Sequence, residues 1–301
     1  MRERLQERKC RKENAAKKLQ ERLQERDQRK EIAQNGLSIL VSGNRLQKYS
    51  GQRILRRRVR IMIDIRNLSK SYNKGQVKAV DGLNLKVNRG ELFGFLGPNG
   101  AGKTTTIKMI VGLLNPDTGS IAIDGTDIAK EPIEAKRKMG YVPDEPVLYE
   151  RLTGLEYLNF MADVYRVPAS VRKERIERYL DMFNLKDAAA DLIKSYSHGM
   201  RQKTALAGAL LHDPKLWILD EPMVGLDPKS AHLLKNQMRE HCDKGNTVFF
   251  STHVLEVAEK LCDRVGIIHK GKLIAIGAID ELRHGDQKDS LEKIFLELTD
   301  Q

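Results

Sequence analysis

The sequence predicts an α/β protein with a largely parallel core sheet. Three observations carry that reading. Short continuous apolar runs recur at Glu91-Leu-Phe-Gly-Phe-Leu96, Leu216-Trp-Ile-Leu219 and Thr247-Val-Phe-Phe250, as buried strands require. Helical periodicities lie between them. A glycine-rich turn joins the first run to a helix, the order of a strand–turn–helix unit.

The elements follow in chain order. Met62-Ile-Asp-Ile-Arg66 reads as a strand. Val77 to Val87 alternates loosely and reads as a second, closed by a turn at Asn88-Arg89-Gly90. The run ending at Leu96 is the third strand, and Thr105 to Leu114 follows at helical spacing. Ser120-Ile-Ala-Ile-Asp124 is a short strand entering a turn at Gly125. Residues 153–195 look helical, through Leu155, Leu158, Met161 and Val164, then Ile176, Leu180, Phe183 and Leu185. Residues 199–211 read as a further helix. Leu216–Leu219 is a buried strand. Pro228 to Cys242 is a helix whose proline stands at the start, where no backbone donor is needed. Thr247–Phe250 is a strand. Val265-Gly-Ile-Ile268 and Leu273-Ile-Ala-Ile276 form a closing hairpin about His269–Lys272.

Composition bounds the class. The chain has 301 residues, 40% of them hydrophobic, enough for one large or two modest domains. No stretch of eighteen apolar residues exists to span a membrane. The charged N-terminus lacks the apolar core of a secretory signal. Cys10, Cys242 and Cys262 have neither metal nor disulfide spacing and fit free thiols in a reducing compartment. The net charge of +12 is unevenly placed: residues 1–61 hold 19 Lys+Arg and 7 Asp+Glu, and residues 62–301 balance at 34 and 34. An argument from charge to nucleic acid therefore concerns the N-terminal segment alone.

Gly97-Pro98-Asn99-Gly100-Ala101-Gly102-Lys103-Thr104 matches G-x-x-x-x-G-K-[ST]. Glycines let backbone N–H groups close on phosphate oxygens, and the helix N-terminus adds partial positive charge. Lys103 is placed to reach the β- and γ-phosphates and Thr104 to ligate Mg²⁺. The strand Leu216–Leu219 ends in Asp220-Glu221. A buried strand fixes its tip, so Asp220 suits Mg²⁺ and Glu221 suits taking a proton from an attacking water. Taken alone, the pair also reads as a strand-end turn with two solvated carboxylates.

Further segments line up around these. Tyr196-Ser-His-Gly-Met-Arg-Gln-Lys203 precedes the acidic pair, Gly225-Leu-Asp-Pro228 follows it, and Ser251-Thr-His253 ends the next strand. Together with the phosphate loop, this ordered set resembles the nucleotide-binding subunits of ABC transporters, over residues 62–301. The resemblance implies a P-loop NTPase fold: a RecA-like core with a mainly parallel sheet, an antiparallel β subdomain, and a helical subdomain near residues 150–200.

It also implies roles, position by position. Tyr72 falls where an aromatic stacks on adenine, its alternative being an ordinary strand-end aromatic. Gly97, Pro98, Asn99, Gly100, Ala101, Gly102, Lys103, Thr104 and Thr105 would bind the phosphates. Thr104 and Asp220 would hold Mg²⁺, and Glu221 would act as base. His253 would hydrogen-bond the γ-phosphate, although alone it reads as a strand-end histidine. Ser197 and Gly199 would close on ATP bound by an opposite subunit, and Asp227 would link the two sites.

Two departures stand out. The usual signature Leu-Ser-Gly-Gly-Gln is Tyr196-Ser-His-Gly-Met200 here, which resembles an export branch that includes Ecs-type and antibiotic-export ATPases. Tyr141-Val-Pro143 is followed by Asp144 where the family has glutamine. Asp144 keeps the capacity to ligate Mg²⁺ but adds charge and loses an amide donor.

The implied function is ATP hydrolysis powering transport, with export as the direction, through an integral membrane permease subunit on a separate chain. ATP and Mg²⁺ are the expected ligands. Each chain would carry half of two different sites, so a dimer is expected, either a homodimer or a heterodimer with a second ATP-binding subunit. The expected location is cytoplasmic, peripheral on the inner face of the cell membrane. A soluble ABC-type ATPase acting on nucleic acid or ribosomes is the alternative class. A single cassette and a short, cysteine-free insert argue against it, and no nucleic acid partner is expected.

Residues 1–61 read as a basic extension whose composition fits disorder, with Leu-Gln-Glu-Arg repeated at 5–8, 19–22 and 23–26. Translation from Met62 is the expectation, because the resemblance begins there and all excess charge lies before it. Arg56-Arg57-Arg58, if encoded by AGG codons, would supply a purine-rich ribosome-binding sequence upstream of Met62. The alternative is a basic tail that touches anionic lipid.

Overall fold

The computed structural model describes residues 60–282 and 291–299. The expectations for residues 1–59 lie outside the described residues.

Two sheets form. One is antiparallel, in the order β2-β1-β4-β5, from β1 (Ile61–Tyr72), β2 (Val77–Asn88), β4 (Thr118–Ile123) and β5 (Thr126–Asp127). The other is the core sheet, in the order β10-β9-β3-β8-β7-β6. It contains β3 (Leu92–Leu96), β6 (Met139–Val142), β7 (Leu216–Leu219), β8 (Thr247–Thr252), β9 (Arg264–His269) and β10 (Lys272–Gly277). All neighbours pair in parallel except β9 and β10, which form the expected hairpin.

Alternation explains how continuous apolar strands cover two faces. Phe93, Phe95, Ile218 and Phe249 face the antiparallel sheet and α1 (Lys103–Ile110), where Ile107 and Ile110 meet Ile63, Leu85 and Ile121. Phe93 and Phe249 stack with ring centres 5.7 Å apart. Leu92, Trp217, Leu219, Val248 and Phe250 face the opposite way, into helices.

Those helices correct one expectation. Residues 153–195 read as helical, and the structure has two helices there followed by an irregular stretch. The helices are α3 (Gly154–Val164) and α4 (Ala169–Met182), following the short α2 (Pro132–Arg137). Pro168 stands immediately before α4, where it cannot continue a preceding helix. Residues 183–192 are irregular, with a single 3₁₀ turn at Ile193–Ser195. The start of α3 is a capping box: Thr153 Oγ1 accepts from Glu156 N–H, and the Glu156 carboxylate accepts from Thr153 N–H. Next come α5 (His198–Leu210) and α6 (Pro228–Asp243), which complete the helical layer. A smaller cluster joins β9 to α7 (Leu255–Leu261), α8 (Ile279–Leu282) and α9 (Leu291–Thr299). No helix among the described residues is long and apolar enough to cross a membrane.

Candidate functional site

Four adjacent parallel strands deliver the site. At their carboxyl ends, β3 runs into Gly97, β8 into His253, β7 into Asp220-Glu221 and β6 into Pro143-Asp144. In open α/β sheets this edge is where ligands bind.

The glycine loop is shaped by close approach. Gly102 has φ +109°, and a Cβ there would lie 2.3 Å from the Ala79 carbonyl oxygen of β2. Only glycine satisfies both conditions. The loop and the start of α1 line a cleft of about 210 Å³ with Ala79, Asp144 and Glu221. Pro98, Asn99, Gly100, Gly102, Lys103, Thr104 and Thr105 supply its floor. Gly97 and the buried Ala101 stand behind that floor as structural members of the turn.

Lys103 is 6% exposed, and its Nζ donates to the Gly97 carbonyl at 2.7 Å. The same ammonium is 3.3 Å from Glu221 Oε1. Glu221 Oε2 in turn lies 3.1 Å from His253 Nδ1. Glu221 is held at φ +45°, a left-handed conformation unusual for a residue with a side chain.

Asp220 is fully buried. Burial pushes its carboxyl above the ordinary aspartate value, while the Ser251 and Thr104 hydroxyls pull it back and the Asp144 and Glu221 charges add to the rise. Ser251 Oγ donates to Asp220 Oδ1. Asp220 Oδ2 has no hydrogen-bond partner among the described residues. A buried, unpartnered carboxylate oxygen beside a threonine hydroxyl is a hard oxygen donor set of the kind Mg²⁺ prefers. Tyr141, on β6, has its phenol pushed up by burial and by the carboxylates of Asp220 and Asp144.

The remaining anticipated residues lie elsewhere. Tyr72 ends β1, 41% exposed, and does not line the cleft. Ser197 caps α5, its hydroxyl accepting from Met200 N–H at 3.3 Å. Asp227 caps α6, accepting from both the N–H and the hydroxyl of Ser230. Neither these two nor Gly199 lines the cleft. They are tied to the acidic strand all the same: the His198 ring packs on Gly225, where a Cβ would fall 2.3 Å from its Cδ2. The Tyr196 hydroxyl donates to the Ala188 carbonyl at 2.6 Å, so the signature tyrosine anchors its own segment.

Comparison with known proteins follows the same lines. A family model described as "ABC transporter" matches residues 80–224. The linearmycin resistance ATP-binding protein LnrL of Bacillus subtilis (strain 168) is 41% identical over 221 residues, covering 73% of this chain and 70% of that protein. The chain belongs to the ABC transporter family. A solved "ATP binding subunit of ABC transporter" is 37% identical with TM-score 0.75, covering 79% of this chain and 99% of that one. The dimeric post-hydrolysis state of the ATP-binding cassette MJ0796, bound to ADP and Pi, is 27% identical with TM-score 0.67, covering 72% and 99%. The chain is thus the ATP-binding, ATP-hydrolysing subunit of such a transporter, with the P-loop NTPase fold, and it powers transport through a separate permease.

Ala79 and Ser251 escaped the sequence reading. Ala79 lies in an ordinary strand pattern and reaches the cleft only because β2 packs on the glycine loop. Ser251 belongs to the segment Ser251-Thr-His253, but nothing in one sequence ties it to Asp220, 31 positions earlier.

Proposed function

We propose that this subunit hydrolyses Mg²⁺-bound ATP in sites shared between two copies of the chain, and that the transporter exports its substrate. The observation that carries the two-chain reading is the make-up of the cleft. It contains the glycine loop, Lys103, Thr104, Asp144 and Glu221, while Ser197 and Gly199 stand outside it. A second copy would bring those two residues to the exposed γ-phosphate side, with Asp227 linking the pair of sites. Tyr72 would stack on adenine, and His253 would contact the γ-phosphate.

Thr104 and Asp220 would hold Mg²⁺, with Asp144 as a further carboxylate in reach of the same cleft. The ion's contribution would be to neutralise charge on the phosphate oxygens. Glu221 would accept the proton of the attacking water. Lys103 would fix the phosphates.

Export is supported by the Tyr-Ser-x-Gly-Met signature and by the similarity to a linearmycin resistance protein. The permease would sit on the apolar groove beside Asp144. Val147, Tyr149, Phe160 and Val164 line it, and Val147 is 94% exposed. Exposed apolar surface of this kind marks an interaction site. The assembly would then lie on the cytoplasmic face of the membrane.

Complementation tests the shared site. Lys103→Ala and Ser197→Arg chains should each be inactive as purified. Mixed together, they should recover up to about a quarter of wild-type ATPase, since half the dimers then hold one intact site. Activity in Ser197→Arg alone would overturn the two-chain site.

A further inference from the structure

We propose that Ser251 is a positioning residue that sets both carboxylates at the tip of β7; this rests on the Mg²⁺ reading of Asp220. Strands β7 and β8 pair in parallel, with Ile218 opposite Phe249 and Leu219 opposite Phe250. Side chains alternate, so Asp220 shares the face of Ile218, and Ser251 shares the face of Phe249. That face is the one toward α1 and the glycine loop. Ser251 is fully buried there.

Its hydroxyl is used twice. Oγ donates its one proton to Asp220 Oδ1 and accepts from the Glu221 backbone N–H at 2.9 Å. Two consequences follow. With Oδ1 engaged, Oδ2 is the carboxylate oxygen left for the cation, and it is the one without a hydrogen-bond partner among the described residues. With its N–H tied down, Glu221 is held at φ +45°, and its carboxylate meets Lys103 and His253. One hydroxyl therefore chooses the metal-facing oxygen and aims the candidate base. Alanine supplies neither bond, whereas threonine retains both.

Binding of a fluorescent ATP analogue, measured with and without Mg²⁺, tests this on the full chain beside steady-state ATPase. Ser251→Ala should raise the Mg²⁺ concentration for half-maximal enhancement of binding by roughly 10- to 100-fold, the range for outer-shell partners of metal ligands. It should lower kcat while leaving KM for ATP and Mg²⁺-free binding near wild type. Ser251→Thr should restore both readouts. A wild-type Mg²⁺ midpoint in Ser251→Ala, with Asp220→Asn shifted, overturns the assignment while leaving the metal reading intact. A lowered melting temperature with losses that Ser251→Thr fails to restore also overturns it, as packing alone. If the wild type binds the analogue without regard to Mg²⁺, the metal reading itself fails and takes this inference with it.

Discussion

Lys103 and Glu221 face one another across the cleft, Nζ to Oε1 at 3.3 Å, with the lysine almost wholly buried. The cation proposed to hold phosphate is thus paired to the carboxylate proposed to accept a proton. Any phosphate entering the cleft competes with Glu221 for Lys103. This makes the effect of removing the Glu221 charge two-sided.

Glu221→Gln keeps the shape of the side chain and removes its basicity. Hydrolysis should fall by on the order of 10²- to 10⁴-fold, the usual worth of a general base. ATP affinity should hold or tighten, because Lys103 loses its competing carboxylate. Steady-state ATPase and equilibrium nucleotide binding on one preparation check both halves. Wild-type hydrolysis in the mutant would remove Glu221 from the mechanism.

Stability should depend on pH through two histidines in the helical layer, His212 half-buried and His241 buried. His212 stacks on Tyr165 with ring centres 3.7 Å apart and makes a hydrogen bond with the Met139 carbonyl. His241 lies edge-on to Trp217. Burial lowers both to about 4, with Asp213 opposing the shift at each. Above the ordinary value of 6.5 both rings are neutral, folded or unfolded, and contribute no pH dependence. As pH falls from 6.5 toward 4, only the unfolded chain gains their protons, so stability drops. The limiting loss is about 3 kcal/mol per ring. Urea unfolding between pH 7.5 and 4.5 measures it, and a His212→Phe/His241→Phe double variant should flatten the slope (about 1.4 kcal/mol for each unit of pKa shift removed).

Much of this was readable in the chain. The strands Leu216–Leu219 and Thr247–Phe250 and the closing hairpin stand within two residues of where their apolar runs placed them. The residues of β7 and β8 are buried on both faces, and continuous apolarity is the mark of that environment. The glycine loop was legible because its geometry demands glycine at set places. What the sequence hid is pairing across distance. β6 is only four residues long, and its Met-Gly-Tyr-Val carries no strand pattern apart from its neighbour β7. The break before α4 was masked by apolar residues that continue at helical spacing on both sides of Pro168. The bond from Ser251 to Asp220 and the caps formed by Ser197 and Asp227 depend on side-chain placement that a motif does not encode.

Asp144 offers the sharpest separation of catalysis from coupling. It lines the cleft with Glu221, and its charge helps hold the Asp220 carboxyl above its ordinary value. It also begins the exposed segment that leads to Val147 and the apolar groove. Asp144→Gln removes one negative charge from a cleft that must accept a polyphosphate, and it adds an amide donor. Electrostatics alone then favours nucleotide binding, and Asp220 ionises more readily. Basal ATPase of the isolated subunit should stay within several-fold of wild type, because Thr104, Asp220 and Glu221 are untouched. The change should appear instead when the permease is present, as an altered stimulation of ATPase by the reconstituted transporter. Complete loss of basal activity would make Asp144 an indispensable ligand of the cation, and the groove beside it would then have to couple through other residues.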